Sequence, residues 1–547
     1  MQLKLLPYKI ISLIKRLPNM RCLTNIYFFL LTVFIISVHA DFGWNLPPED
    51  LTQSNNNASQ PQICCDNSGN AFAVWTITLE GEVNSTIQAA YFNGITLTWS
   101  NFTILSDDSE NANDPQICCD DSGNAFAIWD QSNGSNTIIH TSHFDGISWI
   151  PMGDLSASGQ SAFEARICCN NSGEAFAIWR RSDGLNTIIQ ASNFDGSSWT
   201  SISDVVNLSP NGQTSSAAEV CCNDLGHAVA VWQTSNASPF FIQASNFDGS
   251  SWTPPDSAPI LSDTAQNART PAVCCDNSGN AIAVWQRFNG SNNIIQASQF
   301  DGSSWAFEGD LSAPGGSAGS AQVCCDNSGN AFAIWQRSNG SNNITQASQF
   351  DGSSWTPISE VFELSAPGQS AFSQQICCDD FGNAFAIWQR SNGSNNIIQT
   401  SQFDGISWSS PAENLSSAGI SSTSPQICCN NSQRAISIWN LSSSPNPVIQ
   451  SALYLPPILS PTNFQGNRVT NRFPSQSAVS AHLSWTPNTD PNVTSFSIYR
   501  NENLIATIPS YLSSYKDCNI DPCQSYSYTI ISVNTTGDES TGETISI

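Results

Sequence analysis

Positive charge is scarce in this chain. Lys and Arg total 17 of 547 residues against 44 Asp and Glu, a formal net charge of −27. Lys4, Lys9, Lys15, Arg16 and Arg21 fall at the very start, so Lys516 is the only later lysine. A nucleic-acid partner is excluded on this count, because phosphate binding needs clustered Lys and Arg. Histidine is sparse too. Past residue 40 only His140, His143, His227 and His482 occur, at no metal-ligand or nucleophile spacing. One long apolar run exists, Ile26 to Val38, shorter than the roughly 20 residues a membrane helix needs. Helical periodicity is absent, which excludes a helix bundle. What the chain holds in excess is 19 Cys and 17 Trp.

The basic start, the apolar run and the small-residue ending Val38-His39-Ala40 read as a signal peptide over 1–40, cleaved before Asp41. Met20-Arg21 would open a more compact version of the same signal. Without those residues the balance becomes −32, with an even 18 Cys, as in an exported chain with a disulfide framework. The expected location is secreted, periplasmic or cell-surface, with no membrane span after cleavage; association with a cell envelope stays open.

Self-similarity dominates the rest. A unit beginning "QICCDNSGNAFAVW" recurs eight times, its first Cys at 64, 118, 168, 221, 274, 324, 377 and 428. In each, a Cys-Cys strand, a turn, an "AFAVW" strand, a polar loop and an "IIQASQF" strand lead to "FDGSSW", where Asp-Gly marks a hairpin into a last strand. Four antiparallel strands per 50–54 residues is the blade pattern of a β-propeller. Seven repeats carry a second Trp after the hairpin, and the eighth stops at "VIQSALY". Trp44, twenty residues before Cys64, matches the spacing of the missing one. The predicted fold is therefore all-β: an eight-bladed propeller over 41–456, closed by the N-terminal strand.

The D-x-x-G-N-A-x-A-x-W core and D-G-x-x-W hairpin resemble a group of bacterial exported propeller repeats, a likeness that implies fold rather than function. The hairpin is also similar to the Asp-box of sialidases, without its full spacing. After the Pro-rich "LPPILSPTN", residues 457–547 resemble a fibronectin type III domain: Trp485 on an early strand, Tyr499 in "SFSIYRN", then Pro522 and Tyr526 in "DPCQSYSYTI". The resemblance makes Tyr526 the tyrosine-corner residue. Cys518 and Cys523 flank it, and the exported setting suggests a local disulfide.

The other sixteen cysteines, Cys64, Cys65, Cys118, Cys119, Cys168, Cys169, Cys221, Cys222, Cys274, Cys275, Cys324, Cys325, Cys377, Cys378, Cys428 and Cys429, share one structural position. If the closing strand is outermost, the Cys-Cys strand stands innermost. Strand neighbours point to opposite faces, so one Cys of each pair meets the blade before and the other the blade after. Inter-blade disulfides need Cα atoms within about 7 Å, which converging blades near an axis allow. Buried thiols, vicinal disulfides and a metal-binding ring are the alternatives left by this pattern.

Arg180, Arg181, Arg287, Arg337 and Arg390 recur after the first Trp and are expected on loops of one face, as an anion- or glycan-binding surface or as locally paired surface charges. Asp66, Asp120, Asp276, Asp326 and Asp379, replaced by Asn170, Asn223 and Asn430 elsewhere, read as turn formers rather than calcium ligands. Sequons such as Asn133, Asn289, Asn339 and Asn392 matter only in a eukaryotic secretory pathway. With no catalytic signature, cofactor or metal pattern, the expected function is non-enzymatic recognition or adhesion toward a protein or glycan. A glycosidase-like enzyme and a disulfide-cross-linked envelope protein are the alternatives.

Overall fold

The computed structural model describes residues 43–547, apart from 237, 444, 474–475, 488–492, 535–536 and 538. The expected signal peptide lies outside the described residues. Eight antiparallel sheets follow one another from Asn57 to Leu455, and the chain is a propeller repeat protein. In the first repeat the strands are Asn57–Cys65, Ala71–Thr78 and Thr86–Asn93, followed by the short Thr98–Trp99 and Thr103–Ile104. The second strands are almost wholly buried because they alternate Ala with Phe, Val, Ile or Trp: small residues admit the neighbouring sheet and large ones fill it. Trp335, for instance, packs with Ala272, Val284 and Ala297 of the preceding repeat.

The fourth strand departs from the expectation. Only Trp149–Asp154 and Trp305–Asp310 run as continuous six-residue strands, each with a bulge at a left-handed glycine, Gly153 or Gly309. In four other repeats Trp199, Trp252, Trp355 and Trp408 each make a single bridge, as Trp199 does with Phe194, before the chain leaves the ladder. "WTPISEV" breaks into a 3₁₀ turn at Ile358–Glu360, where Pro357 has no N–H to give the sheet. In "WTSISDV" the hydroxyl of Ser201 donates to Asp204 at 2.6 Å and holds the equivalent turn.

The first strands of successive sheets pack side by side, and that of the last sheet packs against that of the first. They therefore stand around the axis. At the seam, Gly43 and Trp44 pair with Leu455 and Tyr454, and Glu49 and Asp50 with Ser451 and Gln450. The N-terminal segment is thus the outer strand of the last sheet. Every first strand bulges at a non-glycine residue of positive φ, from Gln60, Asp114 and Glu164 round to Ser424.

Six disulfides join neighbouring first strands, always the first Cys of one repeat to the second of the next: Cys64–Cys119, Cys118–Cys169, Cys221–Cys275, Cys274–Cys325, Cys377–Cys429 and, across the seam, Cys428–Cys65. Their Cα atoms lie 5.5–5.9 Å apart. Neither vicinal bonds nor a metal ring accounts for that pattern.

A second closed ring is polar. In the turn after each Cys pair, a backbone N–H donates to the Asx side chain of the next repeat: Asn67 to Asp121 (2.8 Å), Asp121 to Asn171 (2.8 Å), Asn171 to Asp224 (2.8 Å) and Asp224 to Asn277 (3.1 Å). It continues through Asn327, Asp380 and Asn431, and Asn431 returns to Asn67 at 3.1 Å. The residue just before takes the expected turn role. Asp66 accepts the N–H of Asn70 at 2.8 Å and its amide at 2.7 Å, and the other repeats follow suit.

Beyond the propeller repeats, the sheet Thr462–Phe473, Gln476–Thr486 and Ser514–Asp517 shares a core with the sheet Asn503–Pro509, Val493–Arg500, Ser527–Asn534 and Glu543–Ser546. Trp485, Phe496, Ile498 and Tyr528 fill that core. The Tyr526 hydroxyl accepts the Asp521 N–H at 2.8 Å, a local tie of the tyrosine-corner kind. The expected Cys518–Cys523 bond is not formed, and both are exposed thiols. Each flanks a separate Asp-anchored turn: Asn519 N–H donates to Asp517 at 2.9 Å and Cys523 N–H to Asp521 at 2.8 Å.

Candidate binding site

The repeats supply their own reference state, so a site is sought where one repeat departs from the others. Across the ladder, the buried Trp of the second strand faces Gln88, Gln190, Gln243, Gln296, Gln346, Gln399 or Gln450 in seven repeats. The indole N–H donates to that Gln at 3.1–3.3 Å in four of them. In four repeats the Gln amide reaches a polar side chain of the outer segment, as Gln296 to Asp310 at 2.7 Å.

The second repeat has His140 there. Its imidazole lies parallel to the Trp129 indole, at 6.0 Å and 12°. With the Gln gone, Trp129 donates to Gln131 at 3.0 Å, and Gln131 donates onward to the Asp107 carbonyl at 3.1 Å. His140 Nδ1 sits 3.2 Å from Asp154 on the outer strand. Trp129, Gln131, His140 and Asp107 line an open cleft of about 590 Å³ whose walls also include Leu105, Ile138, Pro151, Glu110 and Asn133. Burial pushes the His140 pKa below the usual imidazole value, while Asp154 and Asp107 pull it back up. The cleft thus combines an apolar wall, carboxylate and amide acceptors, and a half-buried imidazole.

On the opposite face of the same strand, Asp130 takes a place held by Gln in four other repeats. It is 6 % exposed. Its Oδ2 accepts the Glu164 N–H of the next repeat at 3.2 Å, and its Oδ1 is buried with no partner. Burial raises its pKa to about 8, helped by Asp114 and Glu164 and opposed by the Glu164 N–H and Arg166. Asp130 is therefore protonated at neutral pH. Arg166 is held by Glu219 of the following repeat at 2.9 Å.

The five arginines lie at strand ends rather than on loops. Arg181, Arg287, Arg337 and Arg390 occupy equivalent places opposite Ala162, Ala268, Ala318 and Ala371. Arg180 falls one residue earlier, on the other face. Its guanidinium contacts Glu164 at 2.9 Å and lies 4.5 Å over Phe163. Arg287 approaches Asp263 at 3.4 Å and Arg181 approaches Gln190 at 3.4 Å. All five are half-buried with a buried Nε that has no acceptor, so they are built into the rim more than displayed on it. Sequence reasoning passed over His140 and Asp130. The available signal was their departure from the repeat at positions where the copies otherwise agree.

No family model matches the sequence, and no curated protein matches it. Among solved structures, the chain is similar to the propeller domain of the Trilobed protease from Pyrococcus furiosus, at 9 % identity and TM-score 0.40 over 66 % of this chain and 96 % of that one. It is similar to an ulvan lyase at 9 % identity and TM-score 0.40, over 76 % and 94 %. It is also similar to an α-L-arabinofuranosidase from Fusarium graminearum at 12 % identity and TM-score 0.33, over 58 % and 99 %.

Proposed function

We propose that this chain is an exported recognition scaffold: an eight-bladed propeller over 41–456 with a fibronectin type III module over 457–547. Its ligand is an uncharged glycan, received in the cleft of the second repeat. The observation that carries this reading is the replacement of the repeat's Gln by His140, which leaves an acid-rimmed cleft beside Trp129. Sugar hydroxyls find acceptors in Asp107, Glu110 and Gln131, and an apolar sugar face suits Pro151 and Ile138. The acidic rim disfavours anionic chains. The disulfides suit an oxidising compartment. Among the described residues no helix is long and apolar enough to cross a membrane.

A second reading, glycoside hydrolysis, is favoured by one observation. Burial keeps Asp130 protonated beside the Glu164 backbone, and a carboxyl with a raised pKa suits general-acid work.

The test is a glycan array probed with the chain from Asp41, alongside the His140→Gln variant, with reducing-end release followed in parallel. Saturable binding without turnover, lost in His140→Gln, is the expected result. Equal binding by both proteins, or binding only to protein partners, overturns the glycan cleft. Turnover abolished by Asp130→Asn replaces recognition with hydrolysis.

A further inference from the structure

We propose that Cys168 with Cys222, and Cys324 with Cys378, are two further disulfide-forming sites, which turn the six bonds into an unbroken belt around all eight junctions. The inference is independent of the ligand reading.

The pairing rule is strict: the first Cys of each repeat bonds the second Cys of the next. Among the described residues of the propeller repeats, four thiols are left, and they are the four that the same rule pairs. Their registers match the bonded positions. Cys168 pairs across its ladder with Phe176 and Cys222 with Ala228, just as Cys118 pairs with Phe126 and Cys169 with Ala175. Cys324 with Phe332 and Cys378 with Ala384 repeat the arrangement. In both junctions the two cysteines pack against one shared buried cluster, Cys168 with Cys222 beside Phe176, and Cys324 with Cys378 beside Phe332.

The missing bonds matter for topology. Without them the covalent belt is two arcs, one through repeats 4 to 6 and one from repeat 7 through the seam to repeat 3. With both, the inner strands form a covalent circle that does not rely on the N-terminal strand.

The chemistry balances as thiol–disulfide exchange. One thiolate attacks the disulfide of an exported dithiol–disulfide oxidant, forming a mixed disulfide and releasing one oxidant thiolate. The second cysteine, as thiolate, displaces the other. Per bond, the chain loses two protons and two electrons, and the oxidant's disulfide becomes two thiols. In the folded ring, burial and the neighbouring sulfur push the Cys222 and Cys378 thiols far up, away from the reactive thiolate. The exchange therefore belongs to folding, before each junction is buried.

The test uses the chain from Asp41 with Cys518→Ser and Cys523→Ser, recovered from an oxidising compartment, denatured without reductant, alkylated and weighed intact. No alkylated cysteine is the expected result. Four alkylated cysteines, mapped to 168, 222, 324 and 378, overturn the proposal. Adding Cys168→Ser must then expose one thiol, Cys222, and adding Cys324→Ser must expose Cys378. Exposure of any other cysteine overturns the pairing.

Discussion

Cys65 is bonded to Cys428 across 363 residues of sequence, so the first and last repeats share a covalent bond where the chain itself offers none. Other groups span the same seam. Trp99 donates its indole N–H to Ser451 at 3.1 Å, and Arg434 reaches the Gly94 carbonyl at 2.8 Å. The pairing of Gly43–Trp44 with Tyr454–Leu455 completes it. Strand exchange, a disulfide and side-chain hydrogen bonds thus hold one junction together.

Removing that bond should therefore weaken the ring without opening it. The other disulfides already shorten the path from Cys65 to Cys428, leaving mainly the stretches Cys169–Cys221 and Cys325–Cys377 as free loop. With the Cys168–Cys222 and Cys324–Cys378 junctions open, closing a loop of about 100 residues is worth roughly 5 kcal/mol, and less once those two bonds form. Cys65→Ser with Cys428→Ser should lower the melting temperature by several degrees, read by calorimetry. It should raise protease cleavage near Leu46–Thr52 most. An unchanged melt would mean that the strand and side-chain contacts suffice.

Much of this was readable from near-identical repeats, because copies that share Trp and Cys spacing share strand order. Trp44 pointed to the closing strand for the same reason. The bulge of every first strand was not readable. Its left-handed position holds Gln60, Asp114, Glu164, Ala217, Thr270, Ser320, Ser373 and Ser424, with no glycine to mark it. That bulge turns the Glu164 N–H onto Asp130. The broken fourth strand escaped too, since Ser201 to Asp204 competes with sheet pairing through side-chain bonds that no alternation pattern registers. The candidate site stayed hidden because residues were weighed by type rather than by deviation: a lone His140 looks uninformative until it faces Trp129 where other repeats place Gln.

Asp130 should make the protein less stable as pH rises. Its folded pKa of about 8 stands above the ordinary carboxylate value of 3.8. Between those values the folded state holds a proton that the unfolded state has released. Stability from this group is thus full below pH 4, falls through the interval, and is lost above about pH 8. Asp130→Asn keeps an oxygen for the Glu164 N–H and carries no charge. It should raise the melting temperature by a few degrees at pH 9 and change it little at pH 4. Equal shifts at both pH values would refute a buried neutral carboxyl.

His140 acts in the opposite sense. Burial lowers its pKa in the fold, against the pull of Asp154 and Asp107, so the unfolded chain binds the extra proton as pH drops through the imidazole range. Stability is full above the unfolded value of about 6.5 and declines below it. His140→Gln restores the residue of the other repeats, with Trp129 and Asp154 as ready partners. The variant should melt within about two degrees of the parent at pH 7.5 and lose less on acidification to pH 5. A remaining acid slope belongs to His143, whose pKa burial also lowers. Identical acid slopes in parent and variant would remove His140 from the account.

The polar ring should be breakable at one link. Asp224 accepts the Asn171 N–H at 2.8 Å, and its other oxygen takes the side-chain amides of Asn277 at 2.7 Å and Asn171 at 3.2 Å. Asp224→Ala removes these acceptors but leaves its own N–H on Asn277 at 3.1 Å. The expected cost is about 2 kcal/mol, since hydrogen bonds to a charged group exceed neutral ones. Asp224→Asn, which keeps one oxygen for the Asn171 N–H, should cost about half as much. Amide hydrogen exchange gives the decisive reading. Asn171 should lose protection in Asp224→Ala, while Asp121, whose N–H donates to Asn171 at 2.8 Å on the other side, keeps it. If both amides open together, the ring behaves as one cooperative belt; if neither does, the links do not hold the turns.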